Sequence, residues 1–237
     1  MNILAEKGSK GSITKEAQEW LCYYGFSLVI DGDFGSVTEY MIKEYQKRFG
    51  LPQSGKIDER TFGTMKIPIT RIKNWTFNPK HHIKDNIITY ALFINSERPR
   101  EIGGNNCGPF VREFTGGNDG AGWLWCSWFV TYVVARVYDQ LNKRMPIKRS
   151  GSCDVVVIDA QKNKLFIDGK TDKPEPGDLF FTRKSNDDWT HTGIVIEANK
   201  DFFKTIEGNT GSGSERDGDG VFLRTRGYGK YDFVKTV

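Results

Sequence analysis

Trp123-Leu124-Trp125-Cys126-Ser127-Trp128-Phe129-Val130-Thr131-Tyr132-Val133-Val134-Ala135-Arg136-Val137-Tyr138 is the run around which the rest of the chain is organised. After Cys126 only Ser127, Thr131 and Arg136 interrupt its apolar character, the pattern of a helix buried on most sides. Its β-branched residues also suit a strand, but the run is long for one, and length decides for a helix. The glycine-rich turn Gly116-Gly117-Asn118-Asp119-Gly120-Ala121-Gly122 comes just before it. Cys126 is therefore predicted at or near a helix N-terminus, where unpaired N–H groups and the helix dipole favour a thiolate. A lone cysteine in an apolar run is otherwise one more small buried residue, so the remainder of the chain has to separate the two readings.

Downstream of Lys170 the period changes. Pro174-Glu175-Pro176-Gly177-Asp178 is turn chemistry, and Leu179–Thr182, His191–Glu197, Phe202–Asn209, Gly220–Arg226 and Tyr231–Val237 read as strands. Upstream, helices are predicted from about Asp85, over Phe110–Phe114, and from Asp154 with Ser152 as cap, although Val155–Ile158 prefers a strand by propensity. Helices followed by an antiparallel sheet make an α+β order. Alternate strand residues share a face, so Glu207 and Asn209 are expected to point the same way as Thr205 and Phe203. His191 opens the neighbouring strand. A thiol at a helix start, a histidine at a strand start and a carboxylate on the next strand supply a nucleophile, a base and an orienting group. The backbone N–H of Cys126 is the natural oxyanion donor.

The first part of the chain has a different pattern. Ser12 or Thr14 is placed to cap a first helix with Ala17, Trp20, Leu21 and Tyr24 on one side. Asp31-Gly32-Asp33-Phe34-Gly35 is a tight turn whose carboxylates bond backbone N–H groups, not a calcium loop, since the other ligands of an EF-hand are missing. Ser36-Val37-Thr38-Glu39 reads as a capping box opening a second helix with Val37, Met41 and Tyr45 in one stripe and Ile42 and Phe49 widening it. Asp58 caps a third, with Phe62 and Met65 facing inward. Pro68, Pro79 and scattered charge mark 67–84 as a linker between a module at 1–66 and one at 85–237. His81-His82 has no acidic or cysteine partner spaced to hold a metal.

Two resemblances follow from these residues. Gln18-x-x-Leu21, Asp31-Gly32-x-Phe34-Gly35-x-x-Thr38, Gln46-x-x-Phe49-Gly50-Leu51 and Gly55-x-x-Asp58-x-x-Thr61 resemble the three-helix peptidoglycan-binding domain. Trp125-Cys126-Ser127-Trp128-Phe129-Val130, Pro176-Gly177-Asp178-Leu179-Phe180-Phe181, His191-Thr192-Gly193-Ile194-Val195 and Ile206-Glu207-Gly208-Asn209-Thr210 are similar to the CHAP domain, the papain-like fold of cysteine amidases and peptidases acting on peptidoglycan. Glu101–Asn106 and Gly220–Arg226 fit its phage and bacterial members. The resemblance implies Cys126 as nucleophile, His191 as base, Glu207 as the group orienting His191 and Asn209 as a supporting polar residue, with Glu207 and Asn209 both open as the third member. Some members carry a calcium loop rich in Asp-x-Asp before the cysteine. Here only Asn118-Asp119 stands there, so no cofactor or metal is expected. Trp123, Trp125, Trp128 and Trp189 are candidates to line a substrate groove, Trp125 and Trp189 being assigned to substrate binding, although aromatics at this density also serve as core.

Composition narrows the partners. Lys and Arg number 34 against 30 Asp and Glu, a net +4, too mild to argue for nucleic acid but suited to an anionic polymer. Peptidoglycan is the expected partner and a monomer the expected state. Cys22, Cys107, Cys126 and Cys153 show no metal-ligand spacing and read as free thiols, Cys126 apart from the other three as structural ones. No segment reaches transmembrane length, and Met1–Lys7 has no secretory signal. The expectation is a protein made in the cytoplasm and delivered to the wall through a holin or by secretion or injection. Rival readings are a wall-binding structural protein with an inactive catalytic domain, and a papain-like protease or transamidase acting on a protein.

Overall fold

The computed structural model describes residues 2–211 and 218–237. Asp217, first residue of the Asp217–Gly220 hairpin expected from the sequence, lies outside them. The chain begins with β1 (Ile3–Ala5), then α1 (Ser12–Tyr23), α2 (Ser36–Arg48), β2 (Ile57–Asp58) and α3 (Glu59–Met65). β1 pairs antiparallel with β2, so the start of the chain is tied into the first module.

The glutamines of the sequence pattern explain why this module folds. Gln18, buried on α1, accepts from Gly32 N at 2.8 Å and donates to Asp31 Oδ1, the Asp33 carbonyl and Thr38 Oγ1 at 2.9–3.2 Å. Gln46 repeats the device on α2. It accepts from Gly55 N at 2.9 Å and donates to Ser54 Oγ, the Lys56 carbonyl and Thr61 Oγ1 at 2.9–3.2 Å. Each amide satisfies the backbone of a tight turn whose glycine has positive φ, 73° at Gly32 and 69° at Gly55, a conformation that costs glycine little. A buried amide with every partner in place fixes where the next helix starts.

Several capping expectations need correction. Neither Ser12 nor Thr14 caps α1: Gly11 is the N-cap and Ser12 is already helical. The Ser36–Glu39 capping box does not form. Gly35 is the N-cap, Thr38 is consumed by Gln18, and Glu39 pairs with Lys7 and Lys43. Val37 is exposed, not part of the inner stripe, which Ile42 and Tyr45 supply. Asp58 does cap α3, accepting from Thr61 N at 2.7 Å.

Residues 67–84, read from the sequence as a linker, carry structure of their own. They open with α4 (Ile67–Lys73), whose Ile72 is fully buried. Trp75 stacks on Phe93 with centroids 4.1 Å apart, and Phe77 meets Tyr90 edge-on at 5.0 Å. Both rings thus pack on α5 (Ile83–Ser96). The modules also touch directly. Trp20 packs edge-on against Phe110 at 5.7 Å, Tyr23 Oη donates to the Glu97 carbonyl at 2.6 Å, and buried Glu19 pairs with Arg112. One continuous apolar core results.

After α5 come α6 (Pro109–Thr115), α7 (Cys126–Gln140) and α8 (Cys153–Lys162). Ser152 caps α8 through Val155 N, so the cap and the burial of Val156 and Val157 override the strand propensity of the valine run. The strands β3 (Phe166–Ile167), β4 (Leu179–Arg183), β5 (Trp189–Ala198), β6 (Phe202–Thr210), β7 (Gly220–Gly227) and β8 (Tyr231–Val234) form an antiparallel sheet in the order β3-β8-β4-β5-β6-β7. Leu179, Phe181, Ile194, Ile206 and Val234 face α7 in the main core. Ile167, Phe180, Val195, Phe203 and Phe233 make a second cluster on the other face. No helix of the described residues is long and apolar enough to cross a membrane.

Candidate active site

Cys126 is the first residue of α7, with Trp125 as N-cap. It is 6% exposed. His191, the third residue of β5, is 4% exposed, and Glu207 on β6 is fully buried. His191 Nε2 lies 2.8 Å from Glu207 Oε2, which leaves Nδ1 free of the carboxylate, and the ring favours the thiolate of Cys126. The pairing of Ile194 with Ile206 sets Gly193 opposite Glu207. An ideal Cβ at Gly193 would stand 2.6 Å from Glu207 Cγ and 2.8 Å from the Ile206 carbonyl oxygen. Glycine there gives the carboxylate room beside its own strand neighbour. Gly193→Ala should cost about 1–3 kcal/mol of stability through overpacking and displace Glu207 from the ring. Denaturant unfolding together with the rate of Cys126 alkylation in the folded variant measures both effects.

The electrostatics follow from these contacts. A hydrogen bond from the Cys153 thiol, opposed by burial and aided by His191 and the Ser127 backbone N–H, holds the Cys126 thiol well below its ordinary range. Burial works to lower His191, but Cys126 and Glu207 overcome it and push the ring up to about 9. Burial works to raise Glu207, but Arg226 and His191 bring it down to about 2. All three shifts favour a thiolate, an imidazolium and a carboxylate in a row.

Three of the four residues expected at the site therefore come together, and the fourth does something else. Asn209 has φ 52°, and the strand register slips between Glu207 and Thr210. That irregularity breaks the alternation, so Asn209 does not share the direction of Glu207 as the simple strand pattern predicts. With its amide oriented to satisfy both ends, it accepts from Trp125 N at 3.2 Å and donates to the Gly218 carbonyl at 2.8 Å. It holds the segment that opens α7, not the ring of His191.

The tryptophans also need correction. Trp125 is fully buried, donating from Nε1 to Glu101 Oε1 at 2.8 Å. Trp189 is 4% exposed and donates to Asp232 Oδ2 at 2.9 Å. Both are core residues with a satisfied indole N–H, and neither lines a groove. Trp123 and Trp128 are half-buried beside Cys126, with centroids 6.3 Å apart.

Sequence reasoning missed two neighbours of the site. Arg226 of β7 forks onto Glu207, with Nε 2.6 Å from Oε1 and Nη2 2.5 Å from Oε2. The parity of Phe222, Arg224 and Arg226 opposite Glu207 was the available signal. Cys153 reaches Cys126 because Ser127 Oγ and Thr131 Oγ1 both donate to the Ser150 carbonyl, at 2.8 and 3.3 Å, drawing the start of α8 onto α7. No local pattern announces that contact. Cys22 and Cys107 are half-buried and far less enclosed than the structural role assigned to them implies.

Among the described residues no group of three or more His, Cys, Asp or Glu could hold a metal ion. The carboxylate of Asp119 is taken by Arg112 Nη1 at 2.5 Å and by Gly108 N at 3.2 Å.

Residues 10–65 match the family model of a peptidoglycan binding domain, and residues 116–209 match that of the CHAP domain. No curated protein matches the chain. The first match falls on the bundle braced by Gln18 and Gln46, and the second runs from the glycine turn through Cys126 and His191 to Asn209. The chain therefore carries a peptidoglycan binding domain followed by a CHAP domain, a combination that supports a cell-wall hydrolase.

Proposed function

We propose that Cys126, His191 and Glu207 hydrolyse an amide bond of peptidoglycan while the N-terminal domain holds the enzyme on the wall. The observation that carries this reading is the burial of Cys126, His191 and Glu207 together, with His191 Nε2 2.8 Å from Glu207 Oε2 and the ring favouring the thiolate, although they come from three elements. The Cys126 thiolate attacks the amide carbonyl. Charge moves to the carbonyl oxygen, where the backbone N–H of Cys126 is the available oxyanion donor at the start of α7. His191, held by Glu207 through Nε2, gives the proton on Nδ1 to the leaving amine, and the C–N bond breaks to leave a thioester. A water, deprotonated by His191, attacks the thioester carbon and restores the thiolate with release of a carboxylic acid. Asn209 acts by holding the α7 entry where the oxyanion forms. Trp123 and Trp128, flanking Cys126 in sequence, offer a half-exposed aromatic surface suited to the apolar faces of a sugar or peptide.

Tethering by the first domain raises the local concentration of wall bonds without adding contacts at the cut site. An N-acetylmuramoyl-L-alanine amidase and an endopeptidase use the same groups and differ in the bond presented to the sulfur. Mass spectrometry of fragments released from purified sacculi separates them. New amino groups on L-alanine identify the amidase, and new termini within the stem or cross-bridge identify the endopeptidase. Intact sacculi after incubation with folded, reduced protein would overturn the enzymatic reading and leave a wall-binding protein. Cleavage of protein substrates with no affinity for sacculi would favour a protease or transamidase. Synthesis in the cytoplasm with delivery through a holin, or by secretion or injection, suits a reduced thiol nucleophile.

A further inference from the structure

Glu207 is fully enclosed and accepts four hydrogen bonds. Thr205 Oγ1 donates to Oε1 at 2.5 Å, Arg226 Nε to the same oxygen at 2.6 Å, Arg226 Nη2 to Oε2 at 2.5 Å, and His191 Nε2 shares Oε2 at 2.8 Å. The guanidinium lies over the Phe180 ring at 4.9 Å, with Nη1 3.3 Å from Tyr231 Oη. The same Phe180 ring flanks His191, with centroids 6.0 Å apart. Arg226 therefore sits at the far end of a row that starts at the sulfur, on a strand beyond the 116–209 family match.

We propose that Arg226 is a positioning residue of the hydrolysis: it fixes the plane of the Glu207 carboxylate against His191 and supplies the charge that lets the ionised row exist without solvent. This rests on the reading of Cys126 and His191 given above. The row alternates thiolate, imidazolium, carboxylate and guanidinium, for a net charge of zero. Without the guanidinium the same enclosed row carries −1, and a buried anion binds an added proton more tightly. Among the described residues, the other titratable groups facing the row are the Cys153 thiol from α8 and Tyr231 from β8. Neither replaces the lost positive charge. Arginine suits the place because its planar fork matches both carboxylate oxygens, whereas lysine offers a single point of charge.

The test measures Cys126 alkylation by iodoacetamide across pH, followed at the Cys126 peptide by mass spectrometry, beside the pH profile of sacculus hydrolysis. In Arg226→Met both the thiolate midpoint and the alkaline limb should move to higher pH, by about one unit or more. Hydrolysis at neutral pH should fall at least about tenfold. Arg226→Lys should keep the midpoint within a few tenths of a unit and lose only rate, because charge survives and the fork does not. If Arg226→Met fails to fold by circular dichroism, Arg226→Gln removes the charge while keeping donors and is scored the same way. A loss of rate equal at every pH with an unmoved midpoint would mean a merely structural ion pair and overturn the assignment, as would no change at all. Alkylation needs no wall, so a moved midpoint in a protein that leaves sacculi intact would sink the peptidoglycan reading and keep Arg226 in place.

Discussion

Cys126→Ala is expected to abolish release of fragments from purified sacculi, a loss of about 10⁴-fold or more, while sedimentation with sacculi stays at the level of the unaltered protein. The size of the effect follows from the chemistry. Without sulfur no thioester forms, and the remaining groups can only orient water. The packing cost is small, since the side chain loses one atom at a site already 6% exposed. Binding should persist because the Gln18 and Gln46 networks lie in the first domain. Dye release from labelled sacculi and a pelleting assay measure the two halves separately. Fragment release within tenfold of the unaltered protein would remove Cys126 from the mechanism.

Removing the ring should have the next largest effect, and it should show in pH dependence. The reactive pair needs Cys126 deprotonated and His191 protonated. It is populated above the pKa of Cys126, which lies well below the usual thiol range, and below that of His191, at about 9. Hydrolysis should therefore be flat through neutrality and fall as pH rises through about 9, because the imidazolium that protonates the leaving amine is lost. On the acid side it should fall only when the thiolate takes up its proton. In His191→Ala the positive partner is gone at every pH. The Cys126 midpoint should then move upward toward the ordinary thiol value of about 8.5. Hydrolysis should fall at least about 10³-fold. Alkylation kinetics at the Cys126 peptide read the midpoint, and sacculus hydrolysis reads the rate. A midpoint unchanged in His191→Ala would detach the ring from the sulfur.

Much of this arrangement was legible in the sequence. The long, mostly apolar run after Cys126 favoured a helix buried on most sides, and α7 starts at Cys126. Turn chemistry at Pro174–Asp178 and the alternating runs after it located β4 to β8 within a few residues. The spacing of Gln18, Gly32 and Thr38, repeated by Gln46, Gly55 and Thr61, marked a bundle whose turns are satisfied by side-chain amides. The failures came where a local rule met a competing partner. Thr38 had the right position for a capping box, but Gln18 reached it first. Asn209 had the right parity to accompany Glu207, but a left-handed residue turned it toward Trp125. Trp125 and Trp189 were near the right residues in sequence, yet Glu101 and Asp232 hold their indoles inside the core.

What the sequence by itself determined is what depends on neighbours along the chain: helix and strand periods, turn glycines, and the placing of a cysteine at a helix start. The tertiary structure alone decided which carboxylate reaches His191, that Arg226 closes the row, and that Cys153 touches the sulfur. Those contacts join residues 16 to 27 positions apart, through strand register and the docking of two helix ends, and a side chain's partner at that range is set by where the backbones pack, not by the residues beside it.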